Sequence, residues 1–177
     1  HLDWQFEAAA AVPSPKRRLS PPDSVDLRQP WWDVGDQSTT GSCVGWATAD
    51  GVMRYQLVQA GKLGQGEHLS PRFIWMASKE TDQYTSRPET FIELSGTSLK
   101  SAMDIARKYG NVLDKTLPFD INTFLYDGDE DAFFAAASTR RAANYFNLQK
   151  DLNKWKSWLA FYGPILAGLS VDATWDN

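Results

Sequence analysis

Apolar residues recur at helical spacing in four stretches of the chain. The stretches run from 43 to about 59, from 71 to about 79, from 98 to about 109 and from 151 to 162. A repeat of apolar positions at i, i+3, i+4 and i+7 predicts an amphipathic helix in each. In the first stretch the apolar residues lie on two sides, which predicts a largely buried helix.

The residues that border these stretches are ones that start and stop helices. Ser70 followed by Pro71 is typical of an N-cap and a first helical residue. Gly61 and Gly110 follow two of the stretches, and a glycine just past a helix end is typical of the C′ position. The pair 163–164, Gly-Pro, ends the last stretch.

Extended segments are predicted only in the second half of the chain. Residues 145–148 indicate a short strand, and the apolar run 165–171 indicates a longer one. Helices first and strands later favour an α+β fold of two lobes, a helical one over 24–118 and the first part of a strand-rich one over 119–177. Residues 1–23 contain four prolines and are interpreted as a leader or the remnant of a pro-segment.

Composition narrows the class of protein. Of 177 residues 42% are hydrophobic and 13% aromatic, enough for a packed core. A net charge of −4 argues against a nucleic-acid partner, and no run approaches the roughly 20 apolar residues of a membrane span. The acidic run 127–131 lacks the spacing of a calcium loop and indicates a solvated turn, so we expect no metal and no cofactor.

One residue stands out chemically. Cys43 is the only cysteine, so this segment has no intrachain disulfide, and its thiol usage does not decide the cellular compartment. It follows the glycine-rich loop 35–42, at the predicted start of a helix. Unpaired N–H groups and the helix dipole favour the thiolate there, and the thiolate is the nucleophilic form of cysteine.

The residues around the thiol suit attack on a carbonyl. Gly41 and Gly45 leave room for the backbone of a substrate. Gln37 lies six residues upstream, so a tight loop could return its side-chain amide to the sulfur. The N–H of Cys43 and that amide would then form a two-donor site for an oxyanion.

This run resembles the active-site loop of papain-like cysteine peptidases, Gln-x-x-x-Cys-Gly-Ser-Cys-Trp-Ala-Phe. Gln37 and the residues Gly41, Ser42 and Cys43 match the pattern. Thr40 stands where the family usually has a disulfide cysteine, and residue 44 is valine rather than tryptophan. Both departures resemble the bacterial branch of the family.

Other segments resemble the same family, in its order and spacing. Residues 24–28 resemble the start of the mature domain, and 69–73 resemble the Leu-Ser-Pro segment. Residues 96–112 and 117–119 resemble the glycine turn, the helix and the Tyr-Pro-Tyr that follow it. Residues 162–165 resemble the Gly-Pro-Val/Ile segment. The resemblance covers about 24 to 177.

The resemblance implies a two-lobe fold with a cleft between the lobes. It also implies that an extended peptide pairs with the backbone of 95–97 and that Leu99 and Gly168 line an apolar pocket. The pocket would take leucine, valine or phenylalanine at the second residue before the cleaved bond. The implied substrate-binding residues are Gly41, Ser42, Gly96, Thr97, Leu99 and Gly168.

The family base is a histidine oriented by an asparagine, both about 130–150 residues after the cysteine, here about 173 to 193. The chain has His1 and His68, and neither lies in that window. We therefore expect the histidine and the asparagine from polypeptide beyond residue 177, with the helical lobe complete and the second lobe only partly present. His68 precedes Ser70 and is interpreted as a loop histidine.

Three functions remain open at this point. The first is a cysteine endopeptidase acting on peptide or protein substrates through an acyl-enzyme, with a pro-segment or a proteinaceous inhibitor as a further occupant of the cleft. The second is an inactive relative that keeps the groove as a binding module. The third is an amidase, deamidase or acyltransferase with the same nucleophile. For Cys43 itself, the alternative to a nucleophile is a buried thiol with a structural role.

Overall fold

A computed structural model describes residues 20–79, 96–120, 126, 128–170, 172 and 174. The predicted leader, 1–23, lies mostly outside the described residues. The first three helical segments named next follow one another directly and form one central helix over 43–59. The segments are α1 (Cys43–Trp46), a π-helical segment (Ala47–Met53), α2 (Arg54–Gln59), α3 (Pro71–Ala77), α4 (Leu99–Lys108), α5 (Glu130–Ser138) and α6 (Leu152–Phe161).

The helix starts follow from short polar side chains. The predicted cap at Ser70 is confirmed, since its Oγ accepts the N–H of Phe73 at 3.1 Å. The serine before α4 and the aspartates before α5 and α6 cap their helices in the same way. Each such cap is worth about 1 kcal/mol relative to alanine. None of the described helices is both long enough and apolar enough to cross a lipid bilayer.

The end of the central helix is also the predicted one. Gly61 has a φ of +67°, which costs glycine little. Its N–H donates to the carbonyl of Val58 at 3.0 Å, and the N–H of Lys62 donates to that of Leu57 at 2.8 Å. These paired bonds satisfy carbonyls that the helix end leaves free.

The central helix is amphipathic rather than buried on two sides. Ala49, Met53 and Leu57 face the core and are at most 7% exposed. Ala47, on the other predicted stripe, is exposed. That side is covered only in part, where Trp32 packs against Tyr55 with ring centroids 5.1 Å apart. The other members of that stripe are half-buried, and Val44 and Val58 pack against the core, so the predicted burial is complete on one side and partial on the other.

The core lies around α3, whose seven residues are all buried. Phe73 is at its centre, with ring centroids 5.6 Å from Phe133 and 6.1 Å from Phe134 of α5. The central helix and α4 contribute apolar side chains from two further directions. A helix that is apolar nearly all round is buried in the core, and six of the seven residues of α3 are apolar, the exception being the buried Arg72.

The described residues contain no sheet. Their only β-bridge is isolated and joins Leu69 to Leu113. The strands predicted at 145–148 and, as far as it is described, at 165–170 are not formed, while residue 171 lies outside the described residues. An extended run becomes a strand only when its backbone groups pair with a neighbour, and no partner lies beside these runs among the described residues. The helical part of the predicted α+β fold is thus confirmed.

A buried cation ties the N-terminal segment to the central helix. The Arg54 side chain is 1% exposed and lies 3.3 Å from an oxygen of Asp50. It also donates to the carbonyls of Trp31, at 2.9 Å, and Gln65, at 3.0 Å. The Nδ1 of His68 lies 3.1 Å from Asp50 on the same side. Three chain segments thus meet at one guanidinium.

The first test concerns the contact between α1 and α3. A Cβ on Gly45 would lie 2.6 Å from the carbonyl oxygen of Pro71 and 2.7 Å from the Cβ of Trp75. Gly45→Ala should lower the free energy of unfolding by about 1–3 kcal/mol, despite the better helix propensity of alanine, because the two helices must separate. Chemical denaturation measures it.

The matched control is Gly66→Ala, where an added Cβ would meet nothing within 4 Å. Its effect should stay within about 0.5 kcal/mol, as for other open surface positions. Equal stability of the two variants would contradict the close contact at Gly45.

The second test concerns the buried cation. Arg54→Met should lower the free energy of unfolding by about 3–5 kcal/mol, because the Asp50 carboxylate is left buried beside an apolar side chain. Arg141→Met is the control, since Arg141 is exposed and makes no ion pair with any described residue. A loss as small as that of the control would show that the ion pair is dispensable.

Candidate active site

The cysteine lies where the sequence places it, at the first position of α1. Its thiol is free and the residue is exposed, so the alternative of a buried structural thiol is excluded. The N-cap residue, Ser42, makes no side-chain cap bond. Among the described residues nothing accepts the N–H of Cys43, which leaves it available to a ligand.

The loop before the cysteine is a tight turn, as predicted. The N–H of Thr40 donates to the carbonyl of Gln37 at 3.3 Å. Ser38, inside the turn, has a φ of +53°, and its N–H donates to Asp36 at 2.7 Å. One proton of the Gln37 amide goes to the carbonyl of Thr40 at 3.2 Å. An amide nitrogen carries two protons, so the second remains for another acceptor.

The turn at 96–97 lies against the cysteine loop. The N–H of Gly96 donates to the carbonyl of Gly41 at 3.0 Å, and the Thr97 hydroxyl donates to the carbonyl of Ser78 at 3.3 Å. Gly96 therefore has no N–H left for a ligand. Among the described residues the N–H and carbonyl of Thr97 have no partner.

Two of the residues predicted to share a pocket are brought together. A Cβ on Gly168 would lie 3.8 Å from the Cδ1 of Leu99. Both residues line a cavity of about 780 Å³, and Met103 of α4 lines it too. The wall is completed by the central helix, α6 and the segments 141–150 and 164–168.

The composition of this cavity was not predicted from the sequence. Its aromatic wall includes Trp158, whose ring centroid is 4.9 Å from that of Tyr162 and 5.5 Å from that of Phe146. The spacing of Trp158 and Tyr162, at i and i+4 near the end of α6, was the available signal. None of the described residues that line the cavity is an aspartate or a glutamate. Its charged lining residues are Lys62, Lys100, Arg141 and Lys150.

A second aromatic group, formed by Trp46, Trp75 and Phe119, packs at the start of the loop that leads to the cysteine. The indole of Trp46 covers Gly35, where a Cβ would lie 2.1 Å from the ring. Phe119 packs against Trp46 and Trp75 at centroid distances of 5.0 Å and 6.2 Å. The ammonium of Lys79 lies 3.9 Å from the centroid of the Trp75 ring, and burial lowers the pKa of this lysine. The start of the loop is thus held by packing.

The described histidine is engaged elsewhere. His68 contacts Asp50 at 3.1 Å and Asp33 at 3.8 Å, and no hydrogen bond joins it to Cys43. Burial raises the pKa of the nearby Asp114, and the charge of His68 opposes that rise. No group of three or more His, Cys, Asp and Glu side chains in the described part of the chain could hold a metal ion.

Comparison with known proteins adds one finding. No family model matches the chain, and no curated protein does. Among solved structures, it is similar to the crystal structure of xylellain, a cysteine protease from Xylella fastidiosa, with a TM-score of 0.64 and 19% identity. The chain therefore shares its fold with a cysteine protease. The match covers 80% of this chain and 54% of the xylellain chain, so this chain spans about half the length of its structural neighbour.

Proposed function

We propose that this protein is a papain-like cysteine endopeptidase of the bacterial branch. The observation that supports it best is the exposed Cys43 at a helix start, three residues after the tight turn from Gln37 to Thr40. The fold shared with a cysteine protease supports it independently. The inactive binding module and the amidase or acyltransferase remain the outcomes against which the proposal is tested.

In the proposed reaction, the Cys43 thiolate attacks the carbonyl carbon of a peptide bond. The negative charge that forms on the carbonyl oxygen is stabilised by the N–H of Cys43 and the second amide proton of Gln37. The carbon–nitrogen bond then breaks, and the amine leaves with a proton from the base. A thioester remains, and water hydrolyses it to a carboxylate and free thiol.

The base is proposed to be a histidine, oriented by an asparagine, from polypeptide beyond residue 177. His68 is unsuitable because its Nδ1 contacts Asp50 and no hydrogen bond joins it to Cys43. In the proposed two-lobe α+β fold, residues 24–118 form the helical lobe and 119–177 begin the strand-rich one. The cleft would lie between them.

A peptide would bind in extended form along the turn at 96–97. Because the N–H of Gly96 is already bonded to Gly41, the backbone of Thr97 is the free edge for main-chain hydrogen bonds. The next side chain along would enter the cavity beside Leu99 and Gly168. Both are small or apolar, and this favours leucine, valine or phenylalanine in the substrate.

The proposal is tested on the full-length protein by intact mass before and after a peptidyl epoxide. We expect one adduct on Cys43, none in Cys43→Ala, and hydrolysis of fluorogenic peptides to products with new termini. No adduct and no hydrolysis would support the inactive binding module. Release of ammonia, or transfer of the acyl group, without new peptide termini would support the third alternative.

The oxyanion donor gives a further prediction. Gln37→Ala should lower kcat by about 10²–10³, the usual loss for one such donor, with little change in KM. Steady-state kinetics with a fluorogenic peptide measures both constants. Gln59→Ala is the control, since Gln59 is exposed at the end of α2. Identical kinetics of the two variants would remove Gln37 from the reaction.

The pocket is tested through Gly168, whose Cβ would approach Leu99. Gly168→Leu should lower kcat/KM for substrates with phenylalanine at the second residue before the bond by about tenfold or more relative to valine, because it narrows the pocket. Gly66→Leu, outside the cavity, should leave the ratio unchanged. A wild-type preference for charged residues there would refute the assignment.

A further inference from the structure

The hydroxyl of Thr40 lies at the centre of a chain of hydrogen bonds in the cysteine loop. Its Oγ1 donates to the carbonyl oxygen of Gln37 at 2.6 Å and lies 2.6 Å from the Oγ of Ser42. A hydroxyl has one proton, and that of Thr40 is used on Gln37. Ser42 is therefore the donor in the other bond, and the chain runs from Ser42 through Thr40 to Gln37.

Thr40 and Gln37 are joined by two further bonds. The N–H of Thr40 donates to the carbonyl of Gln37, and the Gln37 amide donates to the carbonyl of Thr40. One residue thus fixes both the backbone and the side chain of Gln37. The other end of the chain is anchored in the interior, because Ser42 is 0% exposed.

These contacts give Ser42 a different use from direct substrate contact. Its side chain is enclosed, and its hydroxyl is occupied by Thr40 rather than by the helix start that it precedes. The N–H groups of Val44 and Gly45, which an N-cap side chain would accept, therefore receive no cap from Ser42. The Ser42 hydroxyl thus serves the loop before the helix rather than the helix start itself.

We propose that Thr40 is the positioning residue for the oxyanion donor Gln37, acting through this chain of hydroxyl groups. The inference rests on the proposed function. The resemblance places a disulfide cysteine at position 40, where this chain has threonine, which cannot form that link. The hydroxyl chain is its non-covalent counterpart. An oxyanion donor must be held in place before the charge develops, and successive hydroxyl bonds strengthen one another.

The test is Thr40→Val, which keeps the shape of the side chain and removes both of its hydrogen bonds. In the full-length protein we expect kcat to fall about tenfold or more, with KM within about twofold. The variant displaces the Gln37 amide, and this amide contacts the substrate oxygen only in the transition state. A peptide aldehyde, whose adduct carries an oxyanion, should bind weaker by a similar factor. Alkylation of Cys43 by iodoacetamide, which forms no oxyanion, should keep its rate. Thr40→Ser, which restores the hydroxyl, should restore kcat.

Thr39→Val is the matched control, since Thr39 is the exposed neighbour and makes no hydrogen bond with any described residue. It should behave as the wild type. If Thr40→Val does not fold by circular dichroism, Ser42→Ala cuts the same chain at its other end and must show the same pattern of a lower kcat and weaker aldehyde binding.

Three results would overturn the inference. If the wild type is active and Thr40→Val has the same kcat and the same aldehyde affinity, this inference is overturned while the proposed function stands. An equal loss of the iodoacetamide rate and the aldehyde affinity would show general collapse of the loop rather than positioning. A wild type that neither hydrolyses peptides nor binds the aldehyde would overturn the proposed function and this inference together.

Discussion

The close packing of the central helix on α3 is the constraint on which the rest of the structure depends. It is possible only because Gly45 has no side chain where the carbonyl of Pro71 and the Cβ of Trp75 approach. Since α3 is buried on every side, it cannot shift to relieve a clash without disturbing the whole core. Cys43 lies two residues from this contact, so the cysteine is carried by a closely packed part of the fold.

The loop that carries Gln37 runs between two fixed points. Before it, the segment at Trp31 is held by the buried Arg54, and Gly35 lies under the indole of Trp46. After it, Gly41 is bonded to the turn at 96–97. A loop fixed at both ends loses little further entropy when a ligand binds to it, so the Gln37 turn is ordered in advance of binding.

Much of the helical frame could be predicted because its signals are local. Ser70, the aspartate before α6 and Gly61 act within one helical turn of themselves, so the sequence alone reveals their effect. The strands predicted at 145–148 and 165–170 could not be judged in the same way, because a strand forms only beside a second segment, which is often distant in the sequence. The second stripe of the central helix is buried only in part for a related reason, since other segments decide what covers a helix face.

The candidate site divides along the same line. Cys43, Gln37 and the turn between them could be recognised from residue types and their spacing. Other features join residues that are far apart in the sequence. The contacts of Arg54 reach Gln65, 11 positions away, and the bond from Gly96 to Gly41 and the cavity join residues more than 50 positions apart. No local pattern encodes such pairings, and only the folded chain reveals them.

The π-helical segment Ala47–Met53 has a consequence for the phase of the central helix. An α-helix advances about 100° per residue, and a π turn accommodates one residue more than an α turn. The segment therefore sets the angle, viewed down the axis, between the sulfur at one end and the guanidinium anchor at the other. Removing one residue from it would let an α turn replace the π turn, so Cys43 would keep nearly the same angle relative to Arg54.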